Sequence, residues 1–213
     1  MKSLLIPFTI FFMVSCGESD LSPTKSSTQK AQAESKGETF NFEYRIYEKP
    51  LKVGPSFSSK VNLSESPLKT VLSELSLLNT AKDIKEFIVT SSSPKEKELD
   101  LIKLFKNNKF KTVSDYKNFI FSNFSHFEIY GEISYKDIVI VVTELISSEG
   151  DPVTQGFVIK KHEEQYLTVF EGNLNIPFAS KMSQDNYSVI LRKNIPVDKE
   201  AVPTFGHRSW AQN

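Results

Sequence analysis

Four side chains lie close enough in sequence to share a piece of chemistry. His126, Glu128, Glu132 and Glu144 fall within a stretch that reads as β-strand. Paired carboxylates, or a carboxylate beside an imidazole, are the usual means of moving protons at a reacting atom. The competing reading is a solvated strand face. His162 stands beside Glu163 and Glu164 in a predicted turn, as a general base, a weak metal site or simply an exposed hairpin tip. His207 lies near Arg208 and Trp210 in an aperiodic tail. None of the 3 histidines has a second His or Cys at metal-ligand spacing, so no metal or cofactor is expected. No G-x-S-x-G elbow, Gly-rich phosphate loop or G-x-G-x-x-G is present, and no catalytic residue is assigned.

The remaining reactive group is the only cysteine, Cys16. Lys2 and the apolar run Leu4–Val14 precede it, and the polar GESDLSPTKSSTQK follows. The apolar run has the length of a secretory leader and falls short of the ~20 residues a membrane span needs. Met13-Val14-Ser15-Cys16 resembles the bacterial lipobox. Val14 and Ser15 fit that pattern, whereas Met13 stands where leucine is commonest. The resemblance implies cleavage before Cys16, a diacylglycerol on its thiol and acylation of the new amine. Several acyl chains give stable anchoring where one does not. Gly17 takes the place of the aspartate that commonly retains such proteins in the inner membrane. The implied location is therefore the bacterial cell envelope, with the outer membrane favoured. An ordinary secretory leader and an uncleaved anchor are the alternatives.

Lys and Arg number 26 and Asp and Glu 26, with both signs interspersed. No basic block exists to track phosphates, which argues against a nucleic-acid partner. A single cysteine allows no internal disulfide, so the folded part must be stabilised by its core.

Residues 1–15 read as signal peptide and 16–38 as the lipidated cysteine with a disordered tether. Between Gly17 and Glu38 the only large aliphatic residue is Leu21, too little to offset the entropy of ordering. A flexible chain of this length reaches roughly 25 Å. Residues 39–213 read as one globular domain. Phe40, Phe42, Tyr44 and Ile46 alternate with polar residues, predicting a strand ended by Pro50, Gly54 and Pro55.

Helical patterning follows. Ser66-Pro67 starts a helix bearing Leu68, Val71, Leu72, Leu75 and Leu78, and Thr80 with Asp83 resembles a capping box. Ser93-Pro94-Lys95-Glu96 starts another helix, carried by Leu101, Leu104 and Phe105 to Asn107-Asn108, and Ser114 caps a short one with Tyr116, Phe119 and Ile120 inward. Beyond Phe124 the period changes to two. Lys136-Asp137 reads as a tight turn, and Ile138–Leu145 as a strand buried on both faces. Val153–Lys160 and Tyr166–Phe170 form a second hairpin, and Tyr187–Leu191 a last strand.

Segregated helices and strands predict an α+β fold, with helices covering one face of a curved antiparallel sheet. The hairpins FEIYGEISYKDIVIVVTEL and GFVIKKHEEQYLTVF resemble the NTF2-like fold. A cystatin-like sheet wrapped on a helix would give similar strings.

Of 17 phenylalanines, Phe119, Phe121, Phe124 and Phe127 cluster. Core packing is the ordinary explanation, and an apolar binding surface the functional one. The expected function is therefore a membrane-anchored envelope lipoprotein. Its non-catalytic domain would bind a partner protein or apolar ligand. The alternative is a small NTF2-like hydrolase or isomerase using a cavity carboxylate or His.

Overall fold

The computed structural model describes residues 25–35, 38–59, 65–91, 95–168 and 180–193. The leader, Cys16, the Ser93-Pro94 cap, Val169, Phe170 and His207 lie outside them. The described residues form an α+β structure with an open six-stranded antiparallel sheet. Its strands are β1 (Ser26–Ser35), β2 (Glu38–Val53), β3 (Phe124–Tyr135), β4 (Ile138–Ser147), β5 (Pro152–His162) and β6 (Gln165–Thr168). They pair in sequence order from one edge to the other. Helices α1 (Pro67–Thr80), α2 (Ile84–Ser91), α3 (Lys95–Asn107) and α4 (Val113–Phe121) connect β2 to β3, and α5 (Ser180–Leu191) follows β6.

The strand alternation predicted from Phe40 to Ile46 is present. Phe40, Phe42, Tyr44 and Ile46 are buried, and Thr39, Asn41, Glu43 and Arg45 are exposed. The strand does not end at Pro50. Its register slips between Ile46 and Leu51, and the irregularity tolerates a residue without an N–H. The alternation carries on through the slip: the odd-numbered Tyr47 and Val53 lie in the opposite core layer from Ile46.

β4 is buried on both sides, with Val141 and Val142 each 0 % exposed. On one face Val139, Val141 and Leu145 pack with Phe157, Ile159 and the apolar stripes of α1, α3 and α4. On the other, Ile140, Val142 and Val158 pack under Tyr187, Ile190 and Leu191 of α5. Helices therefore cover both faces of the sheet, which corrects the one-sided expectation.

That second layer contains a further correction. Tyr187–Leu191 is helical and adds no strand. Tyr187, Ile190 and Leu191 stand at i, i+3 and i+4, so a helix sets all three on the sheet and leaves Val189 38 % exposed. Docking on an aromatic surface outweighs the strand propensity of five residues.

β1 corrects the tether. Ser26–Ser35, read as disordered, pairs with β2 from Ser26 opposite Tyr47 to Ser35 opposite Glu38. Composition misleads here because an edge strand gains its order from backbone hydrogen bonds to a neighbour and can leave polar side chains in water.

Two helix starts also differ. α4 is capped by Thr112, whose Oγ1 accepts from Asp115 N at 3.0 Å while Asp115 Oδ2 accepts from Thr112 N at 2.8 Å. Ser114 is merely exposed. α2 begins on Asp83, which accepts from Glu86 N at 2.8 Å, whereas Thr80 closes α1 by donating to Ser76 O at 3.1 Å. The Ser66 cap of α1 is as predicted, its Oγ accepting from Lys69 N at 3.2 Å. Phe127 is buried and Phe121 partly so, their rings edge to face 5.7 Å apart. The ordinary explanation of that cluster holds at both positions.

Candidate functional site

The register of β3 against β4 decides which candidate residues meet. Glu128 stands directly opposite Glu144, and His126 opposite Ile146. Ile129 then pairs with Thr143 and Gly131 with Val142, so Tyr130 is an extra residue on β3. Such a bulge turns the following side chains over. Glu132 is thereby carried to the other face, where Tyr47 reaches it. Gly131 sits where the strands close in: an added Cβ would lie 3.2 Å from Ile46 Cα and against the Arg45 carbonyl.

Two carboxylates opposite each other repel unless cations or donors intervene. Here they do. Glu128 Oε1 accepts from Lys52 Nζ at 2.9 Å and from His126 Nε2 at 3.2 Å, and its Oε2 accepts from the Tyr130 hydroxyl at 2.6 Å. Burial alone would raise the Glu128 carboxyl. The bonds from Tyr130, Lys52 and His126 outweigh it and hold the pKa down at about 2. The Tyr130 hydroxyl is pushed well up by burial and by the carboxylates of Glu128 and Glu144. Glu144, 2 % exposed, accepts from the Thr154 hydroxyl at 3.2 Å and pairs with Lys193, two residues beyond α5.

Ser125 completes a chain that sequence reasoning missed. Its Oγ lies 2.8 Å from His126 Nδ1 and 3.1 Å from the Ile146 carbonyl. The Ser125 hydroxyl donates to the Ile146 carbonyl with its Oγ beside Nδ1, while Nε2 on the far side of the ring faces Glu128 Oε1. A hydroxyl, an imidazole and a carboxylate linked in series have the connectivity of a nucleophile, a base and an orienting group. Adjacent Ser and His gave no signal, because consecutive strand residues ordinarily face opposite ways. A register shift between Phe124 and His126 removes that separation.

Glu132 is buried apart from this group. It accepts from the Tyr47 hydroxyl at 2.7 Å, and the exposed Arg45 guanidinium lies 3.9 Å away. Burial raises its pKa, with Tyr47 and Arg45 opposing the shift in part. Burial, then the nearby Glu132 charge, raises the Tyr47 hydroxyl.

His162 ends β5 opposite Gln165, and Glu163 and Glu164 form the exposed turn between them. Among the described residues no three His, Cys, Asp or Glu side chains gather as a metal site. No described helix is long and apolar enough to cross a membrane.

An open groove of about 660 Å³ lies elsewhere, over β1, β2 and the end of β3. Lys30, Gln32, Asn41, Glu43, Ser134 and Lys136 line it, with Phe42 and Ala31. None of the sequence-predicted site residues does.

Comparison of the chain with protein-family models, curated proteins and solved structures gave no match.

Proposed function

We propose that the chain is a lipoprotein of the bacterial cell envelope, held at the outer membrane by lipid on Cys16, with a non-catalytic domain that binds a protein partner. The leader pattern ending at Cys16 supports the anchor. One observation carries the non-catalytic half: the paired carboxylates already serve the fold. Glu128 is held ionised by three internal donors, and Glu144 is engaged by the Thr154 hydroxyl and Lys193. A carboxylate kept so acidic is a poor proton carrier near neutral pH. The tether reading shortens once β1 is ordered. Only nine residues separate Cys16 from Ser26, a span of at most ~35 Å. The anchor thus keeps β1 close to the membrane.

Among fold families, we favour the cystatin-like arrangement over the NTF2-like one. The unbroken strand order and the packing of α1 across β4, β5 and β6 support it.

Metabolic labelling with palmitate, followed by fractionation, tests the anchor. Wild type should carry label and sediment with outer membranes, and Cys16→Ser should lose both properties. A variant that fractionates and migrates like wild type removes the anchor from this reading.

The Ser125–His126–Glu128 chain favours a second reading, a serine hydrolase acting through the Ser125 hydroxyl. A fluorophosphonate probe should then label wild type and spare Ser125→Ala. Equal labelling of both would dismiss it.

A further inference from the structure

We propose that the outer edge of β1 pairs antiparallel with β1 of a second copy, joining two sheets into one. The proposal stands on the strand itself and does not depend on the anchor.

β1 is the first strand of the sheet and borders only β2 among the described strands. Its orientation follows from one hydrogen bond. Glu48 N donates to the Lys25 carbonyl at 3.3 Å, so the backbone groups of Lys25 face β2. In an antiparallel ladder the N–H and C=O of one residue point the same way, and successive residues alternate. The β1–β2 register is unbroken from Ser26 to Ser35. Odd-numbered residues therefore bond to β2. Ser26, Thr28, Lys30, Gln32 and Glu34 turn their N–H and C=O groups to the open edge.

This edge is long, contains no proline, and has exposed side chains from Ser26 through Lys30 and at Gln32. Those are the properties of an edge that accepts another strand. Natural edges are guarded by charge, and here the charges select the partner. Antiparallel pairing sets outward residues opposite outward residues. A register centred on Lys30 would oppose two lysines, which is unfavourable. A register centred on Gln32 sets the Lys30 position of each copy opposite the Glu34 position of the other. That happens twice by symmetry and involves residues 29–35 of both chains. The strand is thus complementary to itself in one register, which a two-fold interface requires.

Sedimentation equilibrium of the full chain in detergent micelles tests this. Wild type should dimerise at or below about 100 µM, the weak range expected of a small contact. Gln32→Pro removes an outward N–H and no bond to β2, so far-UV circular dichroism should be unchanged and dimerisation at least about tenfold weaker. Lys30→Glu makes both cross-pairs repulsive and should weaken dimerisation by about tenfold. Adding Glu34→Lys to it should restore the wild-type value to within about threefold. If Gln32→Pro disturbs folding, the charge swap still decides. A chain that stays monomeric overturns the proposal, even if the edge then takes up an unrelated extended peptide. So does a dimer indifferent to Lys30→Glu.

Discussion

Gly156 is the position at which α5 is most open to attack by a single methyl group. It lies on β5 opposite Val142, under Tyr187 of α5, which is 1 % exposed. A Cβ built there would stand 2.7 Å from Ile140 Cγ2 and 3.1 Å from Tyr187 Cζ, and nearer still to the Tyr187 hydroxyl. Neither neighbour can step aside freely, because both belong to the packed layer with Phe42, Tyr44, Val142 and Val158. Overpacking of this kind costs about 1–3 kcal/mol when the layer absorbs it. If α5 lifts instead, part of the burial of Tyr187, Ile190 and Leu191 is lost, about 1.5–3 kcal/mol for each large apolar side chain fully exposed.

Gly156→Ala should therefore destabilise by about 3 kcal/mol. A domain of this size loses about 2–4 °C in Tm per kcal/mol, so the drop should be about 6–12 °C by circular dichroism. Tyr187→Phe takes away the nearest clashing atom. Combined with Gly156→Ala it should recover at least about 1 kcal/mol relative to additivity. Urea melts of the two single variants and the double variant measure this coupling. A Gly156→Ala protein within about 0.5 kcal/mol of wild type, or strictly additive variants, would refute the packing of Tyr187 on Gly156.

Other tests follow from the buried carboxylates. Lys193→Ala should cost about 1–2 kcal/mol in urea unfolding, less at high salt, because it leaves the buried Glu144 with Thr154 but no cation. An unchanged midpoint would place Lys193 in solvent. Glu132 has a raised carboxyl pKa, so the folded state keeps this proton at pH values where the unfolded chain has released it. Stability from this group falls as pH rises above the unfolded value near 4.5, and Glu132→Gln should flatten that fall. Glu128 acts oppositely. Its contribution is present above about pH 4.5, declines as pH falls towards about 2, and should vanish from the acid limb in Glu128→Gln. Unfolding midpoints measured from acid to neutral pH separate the two, and parallel curves for wild type and both variants would contradict the assignments.

Features governed by neighbours in sequence were legible in it. The β2 alternation, the Ser66 cap, the Lys136-Asp137 turn and a β4 buried on both faces all follow from period, propensity and turn chemistry. The candidate site was legible only as a set of names. Glu128 and Glu132 are an even number of residues apart, which would set them on one face of a regular strand, yet the Tyr130 bulge sends Glu132 to the far face and leaves Glu128 facing Glu144. A bulge depends on the partner strand, and one extra residue inverts everything after it. Ser125 was missed for the same reason.

The remaining corrections have a common origin. A polar β1 is ordered by the hydrogen-bonding groups of β2, and Tyr187–Leu191 becomes a helix because its i, i+3, i+4 face meets a sheet surface. The sequence by itself determined where β2 alternates, where β3 turns into β4 and where α1 begins. Only the tertiary structure decided which side each strand residue faces, because facing depends on register, and register is a property of two strands together.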